Sequence, residues 1–402
     1  MLPSLSGRAE NVMQARLLGL LRDEGPLSRS HLAELMGVSR TTVAAEVNRL
    51  DQLGLAHESG LAKSRGGRRS TMVDLAEDAR FVGIAIGATR IGVGLTDGRL
   101  NVLSTHEVEC DIRTGPEQVL AAALEATRQV LDKAGVESPL GCGVGVPGPV
   151  DFDRGVSVSP PLMPGWDGYP VRDAVSLGLG CPAVLDNDVN VMAIGELHSG
   201  VAKNNRDFLF VKLGTGIGCG IVVSGELYRG VAGCAGDIGH IRIDDSGPTC
   251  VCGNAGCLEA YAGGAALARE ANAAARSGRS NVLATLLAEK GELTAEDVGI
   301  AVTRGDAAAA GLLRDSAQHV GNVLASLVSF FNPGLIVIGG RVTGLGHGLL
   351  AEMRGVIYRR SLPLATGTLP IVLSELGDMA GVVGAARLVS DVVYAPYGRS
   401  LD

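Results

Sequence analysis

Between residues 9 and 24 (AENVMQARLLGLLRDE) apolar positions recur every three or four residues, with Val12, Ala15, Leu18 and Leu21 on one side. That period predicts an amphipathic helix. Gly25-Pro26 breaks it, and Ser28 stands where an N-cap opens a second helix, SRSHLAELMG, whose Leu32 and Leu35 share a face. Gly37 permits a sharp turn before Ser39, which caps a third helix, SRTTVAAEVNRLDQLG, with Val43, Val47 and Leu50 turned inward. Leu55 to Leu75 reads as two strands around the tip AKSRGGRRS, where Gly66-Gly67 allows a tight bend. Two short helices about a glycine turn, followed by a basic hairpin, predict a winged helix-turn-helix over residues 1–80.

From residue 81 the pattern changes. Phe81 to Leu95 reads as two strands about Gly87-Ala88-Thr89, and Phe208 to Val223 as two more about Gly214-Thr215-Gly216. Backbone N–H groups at such bends can cradle an anion. Their recurrence about 130 residues apart predicts a duplicated α/β lobe with a cleft between the copies. A further buried strand, opened by Asn332-Pro333-Gly334, ends at Gly339-Gly340, and a last helix from Met379 to Val393 is expected to pack back on the body. The longest apolar runs are strand-length, far short of the ~20 residues that span a bilayer.

Composition narrows the class. A chain of 402 residues predicts two or three domains, and 58 glycines with 3% aromatics suit an α/β protein with many tight loops. The first 16 positions are interrupted by polar residues and lack a signal-peptide pattern. Cys110, Cys142, Cys181, Cys219 and Cys234 show no framework spacing, so a reducing cytoplasm is the expected home. The net charge of −8 is uneven: residues 1–80 carry 11 Lys and Arg against 10 Asp and Glu, the remainder 24 against 33. Lys63, Arg65, Arg68 and Arg69 cluster in the hairpin, which suggests a polyanion partner at that end. In a winged helix the third helix enters the major groove of DNA, and its start offers Ser39, Arg40, Thr41 and Thr42. Arg65, Arg68 and Arg69 would then lie along phosphates or in a minor groove. The alternative is a three-helix dimerisation domain with a solvated basic loop.

The strongest chemical signal is Cys250-Val-Cys252-Gly-Asn-Ala-Gly-Cys257-Leu-Glu259, ten residues after His240. Three thiolates and an imidazole make a complete tetrahedral set for a structural zinc ion. Scattered core cysteines or a disulfide is the competing reading. Four soft ligands within 18 residues favour the metal.

Together with Gly145-Val-Pro-Gly148-Pro-Val-Asp151, Asp186-Asn187-Asp188-Val-Asn190, Gly214-Thr215-Gly216 and Gly236-Asp237-Ile-Gly239-His240, this motif makes residues 81–395 resemble the ROK family of repressors and sugar kinases. The resemblance implies an α/β fold of the actin-like, ribonuclease-H-like type. Residues 81–200 would form a first lobe, and residues 201–402 a second lobe with the zinc motif and a C-terminal helix returning to the first. It implies sugar contacts from Gly148, Asn187, Asp188, Asp237, His240 and Glu259, with Asp188 the general base in the kinases. Gly87, Thr89, Gly214, Thr215 and Gly216 match phosphate-binding turns. With the winged helix, the resemblance implies a sugar-responsive repressor that binds an inverted-repeat operator as a homodimer or homotetramer. Two positions depart from the pattern. Ala85 stands where the kinases carry an Asp that handles metal-bound ATP phosphates, which argues against catalysis. Asp237 stands where the family usually has Glu. The alternative function is a hexose kinase with a DNA-binding arm.

Overall fold

Asn11 starts the first helix by accepting the Gln14 amide at 2.9 Å. Helix α1 (Val12–Glu24) then runs to Gly25. Its buried residues are Gln14, Leu17, Leu18, Leu21 and Arg22, while Val12 is 56% exposed. The inward stripe is therefore rotated from the apolar one predicted, because Gln14 and Arg22 have partners inside; Gln14 donates to Glu46 at 2.9 Å. Ser28 closes strand β1 (Leu27–Ser28) and caps α2 (Arg29–Met36). Leu32, Ala33 and Met36 face inward there, whereas Leu35, expected to share the face of Leu32, is exposed. Gly37 turns left-handed and Ser39 caps α3 (Arg40–Gln52), whose Val43, Val47 and Leu50 are fully buried. Strands β2 (Ala56–Leu61) and β3 (Thr71–Leu75) complete a sheet of order β1-β3-β2.

The computed structural model describes residues 9–61, 71–161, 163–345 and 347–396. The hairpin tip with Lys63, Arg65, Arg68 and Arg69 lies outside the described residues. The chain divides into two units, Met1–Val191 with Gly381–Asp402, and Met192–Ala380.

In the first unit β4 (Arg80–Ile86), β5 (Arg90–Asp97) and β6 (Val102–Glu109) form an antiparallel meander before α4 (Pro116–Ala134). Then come β7 (Gly141–Val146), the small hairpin β8 (Val150–Asp151) and β9 (Val156–Ser157), α5 (Val171–Leu179) and β10 (Ala183–Asn187). Strands β7 and β10 extend the sheet in parallel, giving β10-β7-β4-β5-β6. Trp166 is a fully buried anchor whose indole N–H donates to Ile112 O at 3.2 Å. Helix α6 (Asp188–Ser199) carries the chain onward.

The second unit repeats this order. Strands β11 (Phe208–Leu213), β12 (Ile217–Val223) and β13 (Glu226–Leu227) are antiparallel. Helices α7 (Leu258–Ala262), α8 (Gly264–Arg276), α9 (Asn281–Lys290), α10 (Ala295–Thr303) and α11 (Ala307–Phe331) follow. Next are β14 (Leu335–Gly339), α12 (His347–Arg360), α13 (Pro363–Thr366) and β15 (Ile371–Leu373). The sheet order β13-β12-β11-β14-β15, with β14 and β15 parallel to β11, matches the first sheet strand for strand. Strand β4 thus corresponds to β11, and the bend after each is a glycine turn.

The last helix, α14 (Met379–Tyr394), lies against the first sheet. A Cβ on Gly83 of β4 would stand 1.9 Å from Val382 O, and one on Gly143 of β7 1.8 Å from Ala385 O, so only glycine admits the helix this closely. The far end of α14 meets α1 through charges. Arg22 is 2.7 Å from Asp391 and 3.0 Å from Asp23, donates to Ser390 Oγ at 2.8 Å, and lies 5.8 Å from the centroid of the Tyr394 ring. Arg387 reaches Asp23 at 2.6 Å and Asp391 at 3.1 Å. Burial works against the Asp23 carboxylate, yet Arg22 and Arg387 hold it below its ordinary pKa.

Arg22→Met, which leaves two partly exposed carboxylates facing one guanidinium, is expected to destabilise the first unit by about 1 kcal/mol, read as a lower melting temperature. A depressed carboxyl contributes stability that is fully present above its unfolded pKa and lost as pH falls through the folded one. Acid titration below the ordinary Asp value of 3.8 should therefore weaken the wild-type junction, and Asp23→Asn should remove that part of the pH dependence.

Candidate functional site

The start of α3 presents Ser39, Arg40 and Thr41 to solvent, with Thr42 half-buried. Ser39 Oγ lies 2.7 Å from both threonine hydroxyls and accepts the Thr42 amide at 3.1 Å, so the polar face is locally ordered. Arg16 of α1 donates to Leu35 O at 2.7 Å, fixing the turn before α3. That arginine did not stand out in the sequence, because it acts on backbone rather than on an acidic partner.

In the first unit, Asp186 and Asn187 end β10 and Asp188 opens α6. The helix is capped by Asn187, whose Oδ1 accepts Val189 N–H at 2.9 Å and Asn190 N–H at 3.3 Å. The Asn187 amide also donates to Gly148 O at 2.8 Å, tying the Gly148 loop, at φ +81°, to the start of α6. Asp186 is buried and accepts from Asn190 Nδ2 at 2.8 Å. Asp188 is 8% exposed. The structure therefore brings Gly148, Asn187 and Asp188 into one corner, with the capping role on Asn187.

In the second unit, His240, Cys250, Cys252 and Cys257 converge: one donor atom from each lies within 4.8 Å of all the others. Cys250 Sγ is 3.5 Å from His240 Nδ1, and Cys252 Sγ is 3.7 Å from Cys257 Sγ. Sulfurs on a tetrahedral ion at about 2.3 Å lie about 3.8 Å apart, so the four side chains fit such an ion. The loop closes through Cys250 N–H to Asn254 O at 2.7 Å and through Gly256, at φ +75°, whose Cβ would stand 1.6 Å from Asp244 O. With Nδ1 turned to the sulfurs, His240 directs Nε2 outward, 3.9 Å from Asp237 Oδ1. Glu259, in the first turn of α7, accepts Ile217 N–H at 2.9 Å. Burial, reinforced by the Asp237 charge, holds its carboxyl above the ordinary range, against the Ile217 N–H, His240 and Lys212. Asp237, His240 and Glu259 thus stand together beside the cysteines that with His240 could hold a metal ion.

The two glycine turns are held from behind. Gly87 N–H donates to Arg90 O at 2.7 Å, and Ile112 N–H to Ala88 O at 3.0 Å. Gly214 N–H donates to Gly216 O at 2.9 Å, while Gly264 N–H, at the start of α8, donates to Gly214 O at 2.8 Å. The exposed residue of each turn is a threonine, Thr89 and Thr215. Ala85 and Lys212 hold equivalent places, two residues before Gly87 and Gly214. Sequence reasoning passed over Lys212, whose only signal was that offset.

A description of the ROK family matches residues 81–392, and one of the MarR family matches residues 11–70. The chain belongs to the ROK family. The xylose repressor of Caldicellulosiruptor bescii is 29% identical over 94% of this chain and 96% of its own length. The glucokinase of Streptomyces coelicolor is 34% identical over 77% of this chain and 97% of its own. A solved ROK family transcriptional regulator, a homolog of the E. coli MLC protein, superposes with a TM-score of 0.79 at 25% identity, covering 94% of this chain and 96% of that one. The fold is thus the actin-like α/β fold of ROK proteins preceded by a MarR-type winged helix. Repressor and regulator match nearly the whole chain, the kinase about three quarters of it.

Gly256→Ala is expected to spread the four ROK donor atoms, because both its φ and the Asp244 carbonyl exclude a Cβ. Faster reaction of Cys250, Cys252 and Cys257 with a thiol reagent, and a lower melting temperature, would register it.

Proposed function

We propose that this ROK protein is a sugar-responsive transcriptional repressor. The observation that carries the reading is a winged helix joined to a ROK body whose first phosphate turn has Ala85 in place of the carboxylate. Phosphoryl transfer depends on positioning and on neutralising phosphate charge. Loss of a carboxylate that handles the metal disfavours turnover while leaving sugar binding intact. No described helix is long and apolar enough to cross a membrane, and the proposed place of action is the cytoplasm, on operator DNA.

In this reading Arg40 and the hydroxyls of Ser39, Thr41 and Thr42 meet base edges, and Arg65, Arg68 and Arg69 follow the phosphates. Gly148, Asn187, Asp188, Asp237, His240 and Glu259 serve sugar recognition, offering the mixed donors and acceptors that a polyol needs. His240, Cys250, Cys252 and Cys257 hold a structural zinc ion. A metal-bound imidazole keeps one orientation, so the ion would fix the outward face of His240 and the segment carrying Glu259. A homodimer or homotetramer would present paired readers to an inverted repeat. Helix α14, close against β4 and β7 and clamped to α1, would carry a sugar-dependent shift of the body to the DNA reader. A switch of this kind requires the sugar to bind the two states with different affinity.

Fluorescence anisotropy on DNA from the gene's own upstream region, titrated with free and phosphorylated sugars, tests the reading. Specific binding altered about tenfold by one sugar is expected; an effector that binds equally well with and without DNA would contradict it. Arg40→Ala should cost about 1–3 kcal/mol of specific binding. Arg68→Ala should weaken binding to all sequences and lower the salt slope by about 1. Metal analysis should find zinc in the wild type and none in Cys257→Ser. Sugar-dependent ADP release at ordinary turnover rates, abolished by Asp188→Asn, would instead support the kinase with a DNA-binding arm.

A further inference from the structure

Two carboxylates stand on the strands of the wing, where a surface that meets DNA gains nothing from negative charge. Glu58 lies on β2 and Asp74 on β3, the strands that lead into the segment with Lys63, Arg65, Arg68 and Arg69. A carboxylate near a polyanion opposes binding unless a cation meets it. Here each is met by an arginine from outside the hairpin. Glu58 pairs with Arg29, the first residue of α2, and Asp74 with Arg99, in the turn between β5 and β6. The two strands are thus braced on different neighbours, β2 on a helix of the reader and β3 on the first sheet of the ROK body.

The brace on β3 is rigid on both sides. Asp97 Oδ1 accepts Arg99 N–H and Asn101 N–H, each at 2.9 Å, and its Oδ2 accepts from Asn101 Nδ2 at 2.9 Å. Leu100, at φ +66°, donates its N–H to Asp97 O at 3.0 Å. A turn fixed at so many points presents Arg99 in one direction. Gly98 packs this turn onto the link between β3 and β4: a Cβ there would lie 3.0 Å from Ala79 Cβ and 3.2 Å from Leu75 Cδ1. Asp74 is also held, one oxygen accepting Leu75 N–H at 2.7 Å while the other faces Arg99. Its side chain is 19% exposed and that of Arg99 32%, so salt screens this pair less than one in open solvent.

The brace on β2 falls at a bend. The ladder shifts register between Glu58 and Gly60, where β2 carries one residue more than β3, and Gly60 takes φ +116°. An extra residue of this kind bends a strand and increases its twist. Arg29 therefore grips β2 where its direction is set.

We infer that Arg99 and Arg29 are positioning residues for operator binding, and that Asp74 and Glu58 serve to set the angle of the wing. The consequence is opposite in sign to simple electrostatics. Removing a carboxylate from a surface that meets DNA ordinarily tightens binding, because it lowers the repulsion of phosphates. A carboxylate that holds the wing does the reverse: neutralising it frees the strand, and phosphate contacts made through the wing are lost. Arg99 belongs to the ROK body, so the body contributes to DNA binding through position, without reaching the DNA. This inference rests on the repressor reading above and names part of its DNA-binding machinery.

The test is anisotropy of the full-length protein on its operator fragment at several salt concentrations. The variants are Asp74→Asn, Glu58→Gln, Arg99→Gln, Arg99→Lys, and the double variant Asp74→Asn with Arg99→Gln. Asp74→Asn, Glu58→Gln and Arg99→Gln are each expected to weaken binding about fivefold or more and to lower the salt slope by about 1. The double variant should bind no more weakly than its two single variants, since either change already removes the pair. Arg99→Lys should keep most of the affinity, and unchanged melting temperatures would show that the fold is intact. An Asp74→Asn or Glu58→Gln variant that binds as tightly as the wild type, or more tightly, overturns the inference. A double variant whose loss is the product of the single losses overturns it as well. In these cases the repressor reading stands. Absence of specific binding by the wild type to every upstream fragment, with and without each sugar, overturns both.

Discussion

Two arginines and two aspartates join the DNA-reading domain to the ROK body, and any signal between them has to respect that junction. Arg22 and Asp23 come from α1, Arg387 and Asp391 from α14, and each arginine contacts both aspartates. The two guanidiniums are buried and the two aspartates partly exposed, so each arginine depends on the aspartates to meet its charge. Helix α14 cannot drift on its other side either, since its carbonyls rest almost on the backbones at Gly83 and Gly143. The helix is confined at both faces. A displacement of the first sheet would move it, and the charge cluster would move α1.

The duplicated sheet supplies the second constraint. Strands β4 and β11 end in the same kind of glycine turn, and the residues two positions earlier, Ala85 and Lys212, each stand opposite a glycine on both neighbouring strands. Beside the second turn, His240 converges with Cys250, Cys252 and Cys257, next to the segment that carries Glu259.

Much of this was legible in the sequence because it depends on local rules. Ser28, Gly37 and Ser39 punctuate the winged helix as cap and turn chemistry requires, and the paired glycine hairpins announced the repeated sheets. The spacing of Cys250, Cys252 and Cys257 after His240 pointed to the convergence of these four side chains. What failed locally failed for a tertiary reason. The inward face of α1 is set by Gln14 and Arg22, whose partners Glu46 and Asp391 lie 32 and 369 residues further along the chain. Hydrophobic periodicity counts such residues as solvent-facing. Leu35 is exposed because Ala33 and Met36, with Leu32, already fill the inner face of a two-turn helix. Lys212 escaped notice because its meaning comes from its counterpart in the other lobe.

If the body switches the DNA reader through α14, Arg387→Leu should uncouple the two. The quantity to measure is the ratio of operator affinities with and without the effector, by anisotropy, alongside effector binding to the free protein. The variant is expected to bind DNA and effector still, while the ratio falls from about tenfold to below about twofold. A full effector response in the variant would contradict it and move the coupling to another part of the molecule.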